Sequence, residues 1–164
     1  MPDLCTHMFA AHLIKRGPAF FSSKPSPIHG RIVFYIGTLL PDLLSRPWYI
    51  LFPPLKDWVI AMHTPMGALL TFGILASFFE PHFRRSAFLN LCGGGALHFF
   101  LDAFQKQILG NNFWLFPFSW KDFGFDVFWA GDVIPFVPLW IFLFIAIEIL
   151  FYLIRGRRTK EPIL

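Results

Sequence analysis

The sequence predicts an all-α, polytopic membrane helical bundle of about four to five apolar helices, some short or partly inserted. Three observations point there. The 164-residue chain is 55% hydrophobic and 20% aromatic, with only 15% charged residues, against about 25% in a soluble domain. Residues 133–154 form one apolar run carrying a single charge, Glu148, which meets the ~20 residues a helix needs to cross a bilayer. Sixteen residues without a formal charge separate Arg85 from Asp102.

Helix one is expected from about Asp3 to Lys15, capped by Asp3 or Thr6. The Pro- and Ser-rich stretch from Gly17 to Pro27 reads as a loop. Helix two runs from about Ile28 to Leu40 and stops before Pro41-Asp42. A short helix, interrupted by Pro53-Pro54, fills Pro47 to Ala61. Thr64-Pro65 starts helix three, which reaches about Phe79. The turn Glu80-Pro81-His82-Phe83-Arg84-Arg85 makes an antiparallel hairpin with helix four, about Ser86 to Gln105. Residues 110–131 are aromatic and irregular, like an interfacial belt. The last span, Val133 to Ile154, ends in the anchor Arg155-Gly156-Arg157-Arg158-Thr159-Lys160. Residues 1–154 thus read as one membrane-embedded domain and 155–164 as a basic cytoplasmic tail. Met1 to Ile14 contain no Lys or Arg, so a signal peptide is not expected. Cys5 and Cys92 make neither a metal motif nor a disulfide framework.

If the main helices alternate in direction, ten of the fourteen basic residues fall at one end, from Lys15 and Arg16 to the tail. Seven of the ten acidic residues collect at the other. The positive-inside rule then puts the C-terminus in the cytoplasm of a bacterial cell, across the inner membrane, with the acidic end facing the periplasm. This topology accounts for the net charge of +4 without a nucleic-acid partner.

The same alternation gathers His7, Asp42, His63, His98 and Asp102 at the acidic end. His98 and Asp102, four apart, share one face of an apolar helix. Ionisable groups at membrane depth are functional-site candidates by default, and His with Asp suits a divalent metal, zinc first. Three His and two carboxylates exceed the three ligands of a usual catalytic zinc, so some support the others or two ions bind. Metal binding would lower the pKa of water to about 7, with Asp42 or Asp102 as general base. Glu148 lies toward the cytoplasmic half, away from this site, and His12, His29 and His82 fall toward the basic end. Gly93-Gly94-Gly95 fits close helix packing.

The order and spacing of Met1-Pro2-Asp3, Thr6-His7, Leu40-Pro41-Asp42, His63-Thr64, His98-Phe99-Phe100-Leu101-Asp102 and Phe116-Pro117-Phe118-Ser119-Trp120 resemble the membrane-bound metal-dependent hydrolases of the YdjM-like type. The resemblance covers about residues 1–154. That family is distantly similar to zinc-dependent phospholipases C, which also use a His-x-x-x-Asp helix. It implies hydrolysis of a phosphoester or phospholipid headgroup. The chain departs from the pattern before His63: a His-Arg pair is expected where it reads Trp58-Val59-Ile60-Ala61-Met62. Arg46, Lys56, Lys106 and Lys121 are candidates for the missing cation. Two other readings remain: a non-enzymatic membrane protein with a structural metal site or an envelope-assembly role, and a small ion or proton transporter. The transporter reading requires a polar path from Glu148 to the outer cluster.

Overall fold

The structure is a computed structural model that describes residues 4–21, 28–106 and 113–158. Asp3, Lys24 and the tail beyond Arg158 lie outside the described residues. The described chain is all-helical, without strands. Its helices are α1 (Leu4–Phe21), α2 (Ile28–Leu51), α3 (Lys56–Val59), α4 (Pro65–Ser77), α5 (Pro81–Ala103), α6 (Ala130–Val133) and α7 (Val137–Arg158). Short 3-10 turns at Pro53–Leu55, Ile60–His63 and Ile134–Phe136 link α2 to α3, α3 to α4 and α6 to α7.

One stretch, Gly131–Ile154, is long and apolar enough to cross a membrane. Pro53–His63 and Pro65–Ser77, bent by 74° at Thr64, together have the composition of a second. α1, α2 and α5 are also long, but polar residues lower their hydropathy.

Four boundaries differ from expectation, one being the last helix, which runs to Arg158 rather than ending at Ile154. α1 continues through Gly17 and Pro18 to Phe21; a proline removes one ladder hydrogen bond and need not end a helix. α2 does not stop at Leu40 but runs through Pro41 and Pro47 to Leu51. Its buried face, Val33, Phe34, Gly37, Thr38, Pro41 and Ser45, lies against α5 and holds it helical across the prolines. Asp42 therefore sits inside a helix rather than in a turn. α5 begins at Pro81, since proline at the first helical position has no N–H to leave unpaired. Thr64 caps α4, its hydroxyl oxygen accepting from Gly67 N–H at 3.1 Å.

The apolar core joins α2, α4 and α5 through Val33, Ala68, Phe72, Ala87, Leu91 and Phe99. α2 and α5 approach closely because glycines face each other's backbone. A methyl group on Gly37 would lie 2.7 Å from Leu91 Cα, and one on Gly94 2.6 Å from Thr38 N. Gly67 performs the same service for the 60–63 turn, where a methyl would lie 3.1 Å from Met62 Cα. α7 packs on α1, with Phe9 against Trp140 at 5.0 Å and His12 against Phe144 at 4.0 Å. Arg16 Nε donates to Glu148 Oε1 at 2.6 Å, and His12 Nε2 lies 3.3 Å from the same oxygen. Glu148 is thus a paired carboxylate that ties the last helix to the first.

Candidate metal centre

Three segments bring four donors together. α2 supplies Asp42, the 3-10 turn before α4 supplies His63, and α5 supplies His98 and Asp102 one turn apart. The close crossing of α2 and α5 brings Asp42 to the α5 pair. The turn folded back on Gly67 presents His63 from the third side.

His63 Nε2 lies 3.0 Å from His98 Nε2, 3.3 Å from Asp42 Oδ1 and 3.3 Å from Asp102 Oδ2. His98 Nε2 lies 3.4 Å from Asp102 Oδ2 and 3.9 Å from Asp42 Oδ1. One donor atom from each of the four residues lies within 4.8 Å of all the others. A tetrahedron of bonds of about 2.0–2.2 Å has edges of about 3.3–3.6 Å, close to these separations. Two carboxylates this close call for positive charge among them, part of which Arg46 supplies to Asp42 and the rest of which a bound cation could supply. Two carboxylates within 4.8 Å repel by roughly 3 kcal/mol or more at an effective dielectric of about 20. The two imidazole nitrogens face each other and can share only one proton. Two nitrogens and two carboxylate oxygens form a donor set that divalent transition metals accept. Asp42, His63, His98 and Asp102 therefore form a group that could hold a metal ion.

Asp42, His98 and Asp102 have side chains no more than 1% exposed, while His63 is 10% and Arg46 23% exposed. His63 and Arg46 thus mark the open side. Arg46, one turn along α2 from Asp42, pairs with Asp42 Oδ2 at 2.8 Å. Of the four cations named as candidates, it is the one with an ion pair to the cluster; Lys106 lies over the Trp129 ring at 5.1 Å. Its i,i+4 spacing from Asp42 was a signal available in the sequence.

His7 stands outside the four-residue group. Its Nε2 lies 3.5 Å from Asp102 Oδ1, the oxygen opposite the one facing His63 and His98. Its ring stacks on His98 at 4.5 Å. From there it orients the Asp102 carboxylate. His12 is buried beside Glu148 and Tyr35, with Nδ1 3.2 Å from the Tyr35 hydroxyl. Between the His7 and His12 ends of α1 lie Met8, Phe9, Ala10 and Ala11, all apolar.

Gln105 carries no functional signal in the sequence. It is fully buried, just beyond the end of α5, and neither of its side-chain amide atoms has a hydrogen-bond partner among the described residues. The chain matches no family model, no curated protein and no solved structure.

Proposed function

We propose that this protein is a membrane-bound, metal-dependent hydrolase that cleaves a phosphoester, with a phospholipid headgroup as the favoured substrate. The observation that carries the reading is the convergence of Asp42, His63, His98 and Asp102 on one point, three of them buried and one at an opening. Zinc is the first choice of ion for this nitrogen and oxygen set. An ion held by three of the four would keep its fourth position for water and acidify it to a pKa of about 7, whereas four protein ligands would close the site and make it structural. Asp42 Oδ2, paired with Arg46, and Asp102 Oδ1, beside His7, are the carboxylate oxygens left to take the proton, and an anionic group at the mouth would compete with Asp42 for Arg46.

The distribution of polarity supports a multi-pass arrangement in the bacterial inner membrane. Nine of the eleven largest fully buried side chains are polar: His7, His12, Thr38, Asp42, Ser45, Thr64, His98, Asp102 and Gln105. Leu13, Ile14, Ile32, Ile36, Leu70, Ile74, Leu89 and Phe100 are exposed on α1, α2, α4 and α5. Polar groups inside and apolar groups outside suit lipid and not water. The basic tail favours a cytoplasmic C-terminus and a site toward the periplasmic face. A lipid substrate is supported by an apolar cavity of about 150 Å³ between α4 and α5, lined by Pro65, Ala68, Phe72, Gly95 and Phe99. The Phe99 ring also touches His63, at 5.7 Å. The apolar stretch of α1 between the two polar clusters favours a blind site over a transport path.

The test is metal content and hydrolysis in detergent-purified protein, beside the His98→Ala/Asp102→Ala double variant. Near-stoichiometric zinc or manganese with phosphodiesterase activity in wild type, both lost in the variant, supports the reading. Wild type that takes up no metal after resupply refutes it. Stoichiometric metal without turnover of any phosphoester moves the protein to a structural metal site.

A further inference from the structure

We propose that Gln105 is a substrate-binding residue whose side-chain amide donates a hydrogen bond to a phosphoryl oxyanion at the metal centre. The proposal rests on the hydrolase reading above and names the group that the site receives.

The first observation is an unmet polar group. Gln105 is 0% exposed, and both Nε2 and Oε1 are buried without a hydrogen-bond partner among the described residues. An unsatisfied buried donor or acceptor costs about 1–3 kcal/mol, and such groups in folded proteins call for an explanation, a bound partner among them. A leucine or methionine would fill the same space without that cost.

The second observation is position. The Gln105 backbone N–H donates to the Asp102 carbonyl at 3.2 Å, and Phe104 N–H donates to Leu101. These are i to i+3 bonds, and in such a turn side chains three apart eclipse. The backbone of Gln105 is thereby held one turn beyond Asp102, just past the end of α5 at Ala103. The outer wall is fixed by backbone pairing to the aromatic segment. Phe125 N–H donates to Ala103, Val127 N–H to Phe104, and Lys106 N–H to the Phe128 carbonyl. Held on both sides, the Gln105 backbone is fixed one turn beyond the pair His98 and Asp102.

The third argument is charge. A divalent ion held between the two carboxylates would be neutralised by them, and Arg46 beside Asp42 would then leave the site with one net positive charge. An anion satisfies that charge, and its oxygens accept from an amide N–H. A neutral donor aimed at an oxyanion in a dry site is an effective stabiliser. A phosphoryl group carries the charge and several acceptor oxygens at once, whether on a lipid or free.

The test uses full-length, metal-loaded protein in detergent, comparing wild type, Gln105→Met and Gln105→Leu. Melting temperature is read with and without inorganic phosphate, and separately with short-chain phosphatidic acid; metal content is measured in parallel. The expected result is an upward shift with phosphate in wild type and about a tenfold weaker phosphate affinity in both variants. Both should keep wild-type metal content and a ligand-free melting temperature equal to or above wild type. A larger shift with phosphatidic acid than with phosphate assigns the anion to lipid; equal shifts assign it to a free or soluble phosphoryl group. Variants that respond to phosphate as wild type does overturn the proposal, as do variants that lose stability without ligand. Metal-loaded wild type that ignores both probes also overturns it while leaving the metal site standing. Wild type that binds no metal overturns the proposal and the hydrolase reading together.

Discussion

Replacing Gly94 by alanine tests whether the α2–α5 crossing sets the spacing of the metal donors. The added methyl would lie 2.6 Å from Thr38 N and 2.9 Å from the Gly37 carbonyl carbon, where ordinary contact begins at 3.4 Å. It would meet the Phe34 carbonyl oxygen more closely still. All three are backbone atoms and cannot rotate aside, so the helices must part by about 0.8 Å or more. Thr38 lies one turn before Asp42, and Gly94 one turn before His98. The separation therefore reaches the site directly and widens the 3.9 Å edge between His98 Nε2 and Asp42 Oδ1. Metal–ligand bonds tolerate about 0.2 Å, so Asp42 is lost from the donor set. Metal affinity should fall by more than about 100-fold, beyond what loss of a supporting partner costs, and stability by about 1–3 kcal/mol from overpacking. The assay is chelator competition with thermal unfolding in detergent. Gly73→Ala is the control, because a methyl there meets nothing within 4 Å. It should keep its metal and gain up to about 1 kcal/mol from helix propensity. Wild-type metal affinity in Gly94→Ala would refute the claim that this crossing spaces the ligands.

Two further outcomes follow from the same geometry. His7→Ala should weaken metal binding by about 10–100-fold in a chelator titration, the cost of losing a group that orients a ligand. Complete loss of metal would make His7 a ligand, and no change would remove its supporting role. Glu148→Gln should lower stability by about 1–2 kcal/mol, because Arg16 and His12 lose a charged acceptor that is 36% exposed. Metal content should stay at the wild-type level. Metal loss in that variant would join the two ends of α1 and bring back the relay reading.

Local features were legible in the residues themselves. Apolar runs marked the last long helix, Pro53-Pro54 marked a break between helical pieces, and Thr64-Pro65 marked the start of α4. The i,i+4 spacing of His98 and Asp102 put both on one face. These follow from helix period, hydropathy and proline chemistry, which act within a few residues. The course of α2 was not legible. Pro41 and Pro47 argue locally for an end, and it is packing against α5 that carries the helix through them and buries Asp42. Placing His7 against the far oxygen of Asp102, and His63 against the near one, required distances between segments 35 to 95 residues apart in sequence. Gln105 is an ordinary polar residue in the sequence; only burial without a partner sets it apart. Sequence decides which residues are apolar, helical and able to hold a metal, because those properties belong to single residues and short windows. Tertiary structure decides which donor atoms meet at about 3 Å, because that depends on how closely two glycine-lined helices cross.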